Sequence, residues 1–344
     1  MAEPKSGTPV SAVVLAYGPE PLLSRCVEAL LADPGVDVVV VDNGCTSDSV
    51  EQVAGREGVT VLRPGRNLGF PAGANLGARS ARADVIAFVN SDVVVRPGAV
   101  AALARAVADP TVGIACASVR LLDRPDTVNT VGNPVHFLGL SWAGGLGEPA
   151  SAHAVPTDVA SATGAAFACT RATWERLGGF YEPLFLYQED TELSLRCWQL
   201  GLAVRYEPSA VVDHDYEFAR NPGKWELLER NRLFLMLTLW ERRTLVVILP
   251  ALLGMELAML GVSLRQRWWR AKLRGWWWLL RHRSLIRARR AEIAATRVVP
   301  DCDVLPRLTG RFDPGSETGV SAPAVAQSVS AAYWWLARRL LGAT

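Results

Sequence analysis

The sequence is poor in the side chains that build most metal centres, with four histidines and six cysteines in 344 residues. None of the cysteines forms a Cys-x-x-Cys pair, which argues against a zinc-binding module. The chain also lacks a Walker A loop and a Gly-x-Gly-x-x-Gly dinucleotide fingerprint. Charged residues make up only 20% of the chain and apolar residues 50%, so it can bury a sizeable core and is not a disordered protein.

Charge is distributed unevenly along the chain, although the formal net charge is only +2. Residues 1–220 contain 16 Lys and Arg against 25 Asp and Glu, whereas residues 221–344 contain 20 against nine, together with nine of the twelve tryptophans. We therefore expect an acidic globular part and a basic, Trp-rich part with an anionic partner. No signal-peptide pattern precedes the short apolar run Val10–Leu15, so we expect the acidic part to stay in the cytoplasm.

Apolar runs of strand length alternate with helical patterns over the first 110 residues. The predicted strands are Val10–Ala16, Val36–Val41, Val59–Leu62 and Asp84–Val89. The predicted helices are Glu20–Ala32, Ser47–Gly55, Leu68–Ala83 and Pro97–Ala108. This alternation predicts an α/β fold with a mostly parallel sheet and helices on both faces. After a loop-rich segment over 120–160, the predicted elements are a strand over Val159–Thr170, a helix over Thr191–Leu200, and short strands over Ala203–Tyr206 and Ala210–Val212.

Polar residues follow two of the predicted strands, at the edge of the sheet where ligands of such folds bind. Asp42 ends the second strand, and Asn90-Ser91-Asp92 ends the fourth. The Asp92 carboxylate could present oxygen to Mg²⁺ or Mn²⁺, although an acid in this position is more often a turn former. The Gly-rich segment 67–75 opens a helix, and its backbone N–H groups could approach a phosphate or sugar.

Two further places carry candidate chemistry. Glu189-Asp190 lies between an aromatic run and a predicted helix. Helix capping explains one of these acids well, whereas an apolar environment could hold the other as a general base. His214, flanked by Asp213 and Asp215, is either a structural residue or a contact to metal or phosphate.

In order and spacing these segments resemble family 2 glycosyltransferases with the GT-A fold, in the rhamnosyltransferase-like branch. The resemblance rests on nine segments between residues 10 and 232: residues 13–17, 40–44, 66–70, 90–92, 162–165, 178–180, 185–190, His214 and residues 229–232. It implies an inverting transferase that moves a sugar from a nucleoside diphosphate in a single displacement. dTDP-rhamnose is the expected donor, with UDP-sugars as close alternatives, and the expected cofactor is Mg²⁺ or Mn²⁺.

The resemblance also implies roles for individual residues. The expected donor-binding residues are Ala16, Tyr17, Asp42, Asn67, Gly69, Gly73, Asn90 and Ser91. The expected metal ligands are Asp92 and His214, the expected acceptor-binding residues are Thr163, Gly164 and Trp198, and the expected base is Asp190 with Glu189 beside it. The chain departs from the family pattern at Gly18, where Asn is frequent, and at Asn90, where Asp is frequent; the second change removes one anionic ligand.

The basic, Trp-rich part suits a membrane interface better than nucleic acid, because it adjoins a long apolar stretch and contains no nucleic-acid motif. Residues 245–264 approach the length of a spanning helix, but Pro250 and Glu256 interrupt them. We therefore expect monotopic or peripheral attachment to an anionic membrane surface, at the cytoplasmic face of the plasma membrane. A helical subdomain with its tryptophans inside and a solvated basic face is the alternative.

The expected organisation is a GT-A domain over 1–222, a helical membrane-associated region over 223–300 and a flexible tail with a short amphipathic helix over 301–344. The expected acceptor is linked to polyprenyl diphosphate or is a glycan of the cell envelope, and the sequence leaves a homo-oligomer open. Two other functions remain: a catalytically inactive membrane-bound assembly partner, and a sugar-phosphate nucleotidyltransferase. The latter needs a Gly-rich loop with Arg and Lys after the first strand, where this chain has Tyr17-Gly18-Pro19-Glu20.

Overall fold

The computed structural model describes residues 8–215, 223–314 and 322–343. The chain divides into two compact units. Unit 1 contains residues 1–133, 143–197 and 202–216, and unit 2 contains residues 134–142, 198–201 and 217–344. Two short internal segments thus belong to the C-terminal unit, whereas the sequence pattern predicts an unbroken domain over 1–222 and a separate tail after residue 300.

Unit 1 is built on one ten-stranded sheet. Its strands are β1 (Val10–Gly18), β2 (Val36–Cys45), β3 (Val59–Leu62), β4 (Val85–Asn90), β5 (Val93–Val95), β6 (Val112–Leu121), β7 (Val128–Thr130), β8 (Thr157–Asp158), β9 (Ala166–Thr170) and β10 (Ala203–His214). The main path runs β3-β2-β1-β4-β9-β6-β10-β5, while β7 pairs with β6 and β8 with β10. The apolar strands β1, β4 and β6 are almost wholly buried, as expected for strands covered on both faces.

The sheet is mixed rather than mostly parallel. Strands β1 to β4 pair in parallel, and so do β6 and β10. Between these two groups β9 runs antiparallel to both β4 and β6. Strand β10 is a single element interrupted by a register shift between Glu207 and Val211, where the sequence pattern predicts two short strands. The fully buried strand β6 is not among the elements predicted from the sequence.

Helices connect the strands of unit 1. They are α1 (Leu23–Ala32), α2 (Ser49–Val53), α3 (Phe70–Ser80), α4 (Ala99–Val107), α5 (Arg171–Leu177) and α6 (Glu189–Gln199), with short 3-10 helices at Ala150–His153 and Glu182–Leu184. The side chain of Asp33, which follows α1, accepts hydrogen bonds from Gly98 and Val100 at the start of α4. Such capping satisfies N–H groups that have no partner inside the helix.

Unit 2 is helical. Its elements are α7 (Lys224–Leu239), α8 (Arg242–Arg265), α9 (Trp269–Arg281), α10 (Arg283–Thr296), α11 (Asp301–Val304), a 3-10 helix at Leu305–Arg307, and α12 (Ala324–Leu341). The region after residue 300 therefore holds an 18-residue helix, longer than the amphipathic stretch predicted at the C-terminus. Among the described residues, α8 is the one helix with the length and apolar composition to cross a membrane, and 11% of its most apolar window is buried.

Candidate active site

Asp92 and His214 face each other at the edge of the sheet. Asp92 lies in the turn between β4 and β5, and His214 is the last residue of β10. Antiparallel pairing of β5 with β10 sets His214 opposite Val93, and the Asp215 N–H donates to the Asp92 carbonyl at 3.0 Å. As a result, Nε2 of His214 lies 3.3 Å from Oδ1 of Asp92. Two residues 122 positions apart in the sequence thus form one site.

Neighbouring side chains fix the orientation of His214. Its Nδ1 lies 2.8 Å from Oδ1 of Asn129, an oxygen that can only accept a hydrogen bond. Nδ1 therefore carries the proton, and in the neutral ring Nε2 presents its lone pair to Asp92. Asp213, one of the acids beside His214, is bound at 2.8 and 2.9 Å by two guanidinium nitrogens of Arg96. It therefore holds β10 in place and does not face Asp92 and His214.

This pair fits a hard divalent cation. Nε2 of His214 and Oδ1 of Asp92 lie 3.3 Å apart, close to the separation of about 3 Å between cis ligands of a six-coordinate ion at about 2.1 Å. No group of three or more His, Cys, Asp or Glu side chains that could hold a metal occurs within the described ranges. Two protein ligands are enough for Mg²⁺ or Mn²⁺ where substrate phosphates and water complete the coordination shell.

Asp42 and Asn43 organise the last residues of β2. Oδ1 of Asp42 accepts hydrogen bonds from the backbone N–H groups of Gly44 and Cys45, at 3.2 and 2.9 Å. The buried Asn43 side chain donates to Oδ1 of Asn67 at 3.0 Å and accepts from the Leu68 N–H at 2.8 Å. These bonds join the end of β2 to the segment between β3 and α3, so that the expected donor-binding residues Asp42 and Asn67 lie on segments in contact.

Tyr17 offers an aromatic face at the same edge. It lies at the end of β1 and is 59% exposed, and a Cβ added to Gly44 would meet its ring at 3.5 Å. Exposed tyrosine rings are suited to stacking on a nucleobase. Ala16, by contrast, is fully buried and paired with Asp42 in the strand register. Its contribution is to the backbone that positions Tyr17.

Gly69 and Gly73 are needed for packing. Gly69 has φ = 79°, and a Cβ there would lie 2.4 Å from the carbonyl oxygen of Phe185, which accepts the Phe70 N–H at 2.8 Å. Gly73 lies inside α3, where a Cβ would lie 2.4 Å from Leu15. Segment 67–75 opens α3, as the sequence predicts, and Gly73 lies in the first turn of that helix. Its N–H donates to the Gly69 carbonyl within the helix.

Asp190 lies in the first turn of α6, and its carboxylate accepts hydrogen bonds from three residues. Its Oδ2 accepts from the Gly164 N–H at 3.1 Å and, over a longer 3.4 Å, from the Asn133 side chain. Its Oδ1 accepts from the Thr191 N–H at 2.7 Å. The helix itself is fixed by Arg196, which pairs with Glu192 and donates to the carbonyls of residues 177 and 179. The carboxylate is thus held in one orientation.

The two adjacent acids titrate as a pair whose pKa values are both raised. Burial, and then the charge of Asp190, raises the pKa of Glu189 to about 8. Burial also raises the pKa of Asp190, while the hydrogen bonds from Thr191 and Gly164 oppose that rise. Glu189 is 8% exposed and its Oε2 has no hydrogen-bond partner among the described residues. At neutral pH the pair therefore keeps a proton on Glu189 and the negative charge on Asp190.

Backbone hydrogen bonds connect the Asp92–His214 pair with the acids Glu189 and Asp190. The N–H of Asn90, two residues before Asp92, donates to the Ala165 carbonyl at 2.9 Å. The neighbouring Gly164 contacts Asp190 directly. Ser91 is buried in the same turn. Thr163 is buried and its side chain accepts the Ala165 N–H at 3.2 Å, so Thr163 and Gly164 lie between the two groups of side chains.

Trp198 is not brought to this place. It is buried in the last turn of α6, eight residues and therefore about 12 Å along the helix from Asp190. The guanidinium of Arg307 lies 4.1 Å from the centre of its ring. The expected contact of Trp198 with the acceptor stays a prediction. Asn129, within β7, and Asn133, shortly after it, contact site residues, but single asparagines carry no motif by which the sequence could reveal them.

The chain is similar in sequence to known glycosyltransferases. Residues 11–169 match the model of the Glycosyl transferase family 2. The chain is 30% identical over 185 residues to a pre-mycofactocin glycosyltransferase of Mycobacterium tuberculosis, covering 53% of this chain and 38% of the relative. It is 28% identical over 230 residues to that organism's N-acetylglucosaminyl-diphospho-decaprenol L-rhamnosyltransferase, covering 59% of this chain and 74% of the relative. The chain thus spans about two fifths of the first of these relatives.

The fold has solved counterparts. A crystal structure of GalNAc-T7 with UDP, GalNAc and Mn²⁺ superposes with a TM-score of 0.58 at 18% identity, over 69% of this chain and 49% of that one. At this identity the likeness establishes the fold, an α/β sheet of the GT-A type.

Proposed function

We propose that the chain, whose residues 11–169 match the model of the Glycosyl transferase family 2, is an inverting, metal-assisted glycosyltransferase. It would move a sugar from a nucleoside diphosphate to an acceptor hydroxyl. The observation that carries the proposal is that unit 1 contains both a candidate cation site and a candidate base. Asp92 and His214 can hold a cation for the diphosphate, and the hydrogen-bonded Asp190 can accept a proton.

Asp190 would deprotonate the acceptor hydroxyl. A general base must be ionised and oriented, and both conditions have a structural cause here. The N–H groups of Gly164 and Thr191 favour the carboxylate form, and Glu189 keeps the proton that the pair shares. With the hydroxyl placed between Gly164 and the sugar, the oxygen attacks the anomeric carbon from the face opposite the leaving diphosphate, which inverts its configuration.

Asp92 and His214 would hold Mg²⁺ or Mn²⁺, which neutralises charge on the departing diphosphate. Tyr17, Asp42 and Asn67 would contact the base and ribose of the donor. Because Asn90 contributes an amide where an acid would add charge, we expect the cation to bind tightly only together with the nucleotide. Support for these roles comes from the distances among these side chains.

We propose rhamnose as the transferred sugar, supplied as dTDP-rhamnose, with UDP-sugars as the alternative. The likeness to a relative named as an L-rhamnosyltransferase of a decaprenol-linked substrate supports this choice and a polyprenyl-diphosphate-linked or glycan acceptor of the cell envelope. Such an acceptor lies at a membrane, so we further propose that the protein works at the cytoplasmic face of the plasma membrane.

Release of nucleoside diphosphate from a panel of sugar nucleotides, with detergent-solubilised lipid acceptors and Mg²⁺ or Mn²⁺, tests the proposal. The expected result is release from one donor that depends on the acceptor and stops with EDTA. Absence of both release and nucleotide binding would favour the inactive assembly partner. Pyrophosphate formation from a nucleoside triphosphate and a sugar phosphate would identify a nucleotidyltransferase.

A further inference from the structure

Helix α8 of unit 2 has two opposite faces. Its buried residues recur at helical spacing: Thr244, Ile248, Leu252, Glu256 and Ser263. Its exposed apolar residues form a second stripe: Val246, Leu249, Leu253, Leu257 and Leu264. Val246 and Leu257 are 70% and 71% exposed, so large apolar side chains stand in solvent over the length of the helix. Stripes of this size on a folded protein mark an interaction surface.

Glu256, the acid that interrupts the apolar sequence of α8, lies on the buried face. Its carboxylate binds Nη2 of Arg232, Nζ of Lys272 at 3.0 Å and the indole nitrogen of Trp276 at 2.6 Å. Lys272 also binds Glu229 at 2.5 Å. The exposed face of α8 therefore carries no acidic side chain between Arg242 and Arg265, and the sequence-based objection to a membrane-facing helix does not apply to that face.

The same network argues against a spanning helix. A helix that crosses a bilayer as a single span is surrounded by lipid, whereas one face of α8 is packed along its length and paired with charges on α7 and α9. Withdrawing α8 from these helices would leave Arg232 and Lys272 each without one of their buried anionic partners, which is strongly unfavourable. Only the outward face of α8 is available to lipid.

Helix α12 lies beside α8 and extends the apolar surface. The Tyr333 hydroxyl donates to the Val247 carbonyl at 2.5 Å, and Arg243 donates to the Leu340 carbonyl at 2.5 Å. These contacts align the two helices in opposite directions. The outward residues of α12 recur at spacings of four and seven: Val325, Val329, Leu336 and Leu340, with Trp335 next to them.

Charge around these helices identifies the partner. Residues 242–297 contain thirteen Lys and Arg but only two acids, Glu256 and Glu292. Glu256 is buried, and Glu292 lies 3.1 Å from Arg289. Trp277 is 60% exposed, and Arg339 lies over the exposed ring of Trp335 at 3.8 Å. Arginine beside exposed tryptophan and leucine matches the boundary layer of an anionic bilayer, where headgroups attract the charges and the rings enter the interface.

We propose that the exposed apolar stripes of α8 and α12, with their flanking arginines, dock unit 2 on an anionic phospholipid bilayer without crossing it. This deepens the membrane attachment included in the proposed function. Vesicle binding does not require sugar transfer, so the two proposals can fail separately.

The test is flotation of the full chain with vesicles of phosphatidylcholine, alone or mixed with phosphatidylglycerol. Wild type is expected to bind the anionic vesicles, more weakly at high salt, and to be extracted by alkaline carbonate. Leu253→Glu/Leu257→Glu is expected to lower the partition coefficient at least about tenfold. The control Val155→Glu, at a residue of unit 1 that is 70% exposed, is expected to bind as wild type.

A charge variant tests the headgroup contribution separately. Arg265→Gln/Arg281→Gln is expected to weaken binding to anionic vesicles by about tenfold or more, and Arg82→Gln/Arg105→Gln, at exposed positions of unit 1, to leave it unchanged. Resistance to carbonate extraction would overturn the proposal in favour of a spanning helix. Absence of vesicle binding would also overturn the proposal. The surface would then join two copies of the chain, seen as a dimer that Leu253→Glu/Leu257→Glu disperses, or would bind nucleic acid.

Discussion

The backbone N–H of Gly164 donates to Oδ2 of Asp190 over 3.1 Å. This contact joins the segment that enters β9 to the first turn of α6. The next residue, Ala165, accepts the Asn90 N–H at the end of β4. Two adjacent residues, Gly164 and Ala165, therefore hold both the segment that carries Asp92 and the proposed base, and the functional prediction for Asp190 depends on this arrangement.

The raised pKa of Glu189 predicts that stability falls as pH rises. Its pKa is about 8 in the folded protein and lies near 4.5 in the unfolded chain, so the folded state binds more protons between these values. The free energy of unfolding should decrease over that window, by up to about 5 kcal/mol from this group. Urea denaturation of wild type and Glu189→Gln from acid to alkaline pH checks this. The variant should show a flatter profile, and parallel profiles would contradict the assignment.

Asn129 is predicted to support metal binding through His214. Asn129→Ala removes the acceptor that keeps the proton on Nδ1, and loss of such a partner lowers metal affinity about 10–100-fold. Titration of Mn²⁺ by electron paramagnetic resonance, with nucleoside diphosphate present, measures this directly. Asn133→Ala is the control, because Asn133 contacts Asp190 and not His214. Equal Mn²⁺ affinity in both variants would rule out the positioning role.

Gly69→Ala is predicted to be much more damaging than Gly65→Ala. Both glycines have positive φ, near 79° and 75°, but a Cβ at Gly69 overlaps the carbonyl of Phe185, whereas Gly65 has open space around it. The difference should be at least about 2 kcal/mol in the free energy of unfolding. Gly69→Ala should also reduce transfer, because Phe185 leads into Glu189-Asp190. Similar losses in the two variants would mean that the contact with Phe185 is unimportant.

The buried charges of unit 2 predict unequal effects for two basic residues of α9. Burial alone would raise the pKa of Glu229, but Arg232 and Lys272 lower it to about 2, so the carboxylate is strongly stabilised by its partners. Lys272→Met should cost about 3–5 kcal/mol in the free energy of unfolding. Arg274→Met removes an exposed pair with Glu226 and should cost about 0–1 kcal/mol. Guanidinium denaturation of both variants is the measurement, and equal costs would refute the network.

Local patterns in the sequence predict the parallel half of the sheet well. The apolar runs that became β1 to β4 are short and β-branched, and the helices between them agree with α1 to α4 to within three residues at each end. Asp42 and Asp92 lie at strand ends because the turns after buried strands need polar residues. These features depend on neighbours in sequence, and one chain is enough to show them.

The remaining features depend on residues far apart in the chain. The antiparallel insertion of β9 depends on pairs such as Phe88 and Phe167, 79 positions apart. The Asn129–His214 pair spans 85 positions, and the contact of Glu256 with Arg232 spans 24. Nothing in local periodicity reveals such contacts.

Transfer by wild type, Asp190→Asn and Glu189→Gln, at about pH 7 with the donor identified from the panel, tests the central claim most directly. Asp190→Asn is predicted to lose 10²–10⁴-fold in the rate of acceptor-dependent nucleoside diphosphate release while still binding nucleotide. Glu189→Gln, which mimics the protonated acid, should stay within about threefold of wild type because Glu189 is neutral at that pH. Full activity of a folded Asp190→Asn would contradict the assignment of Asp190 as the base.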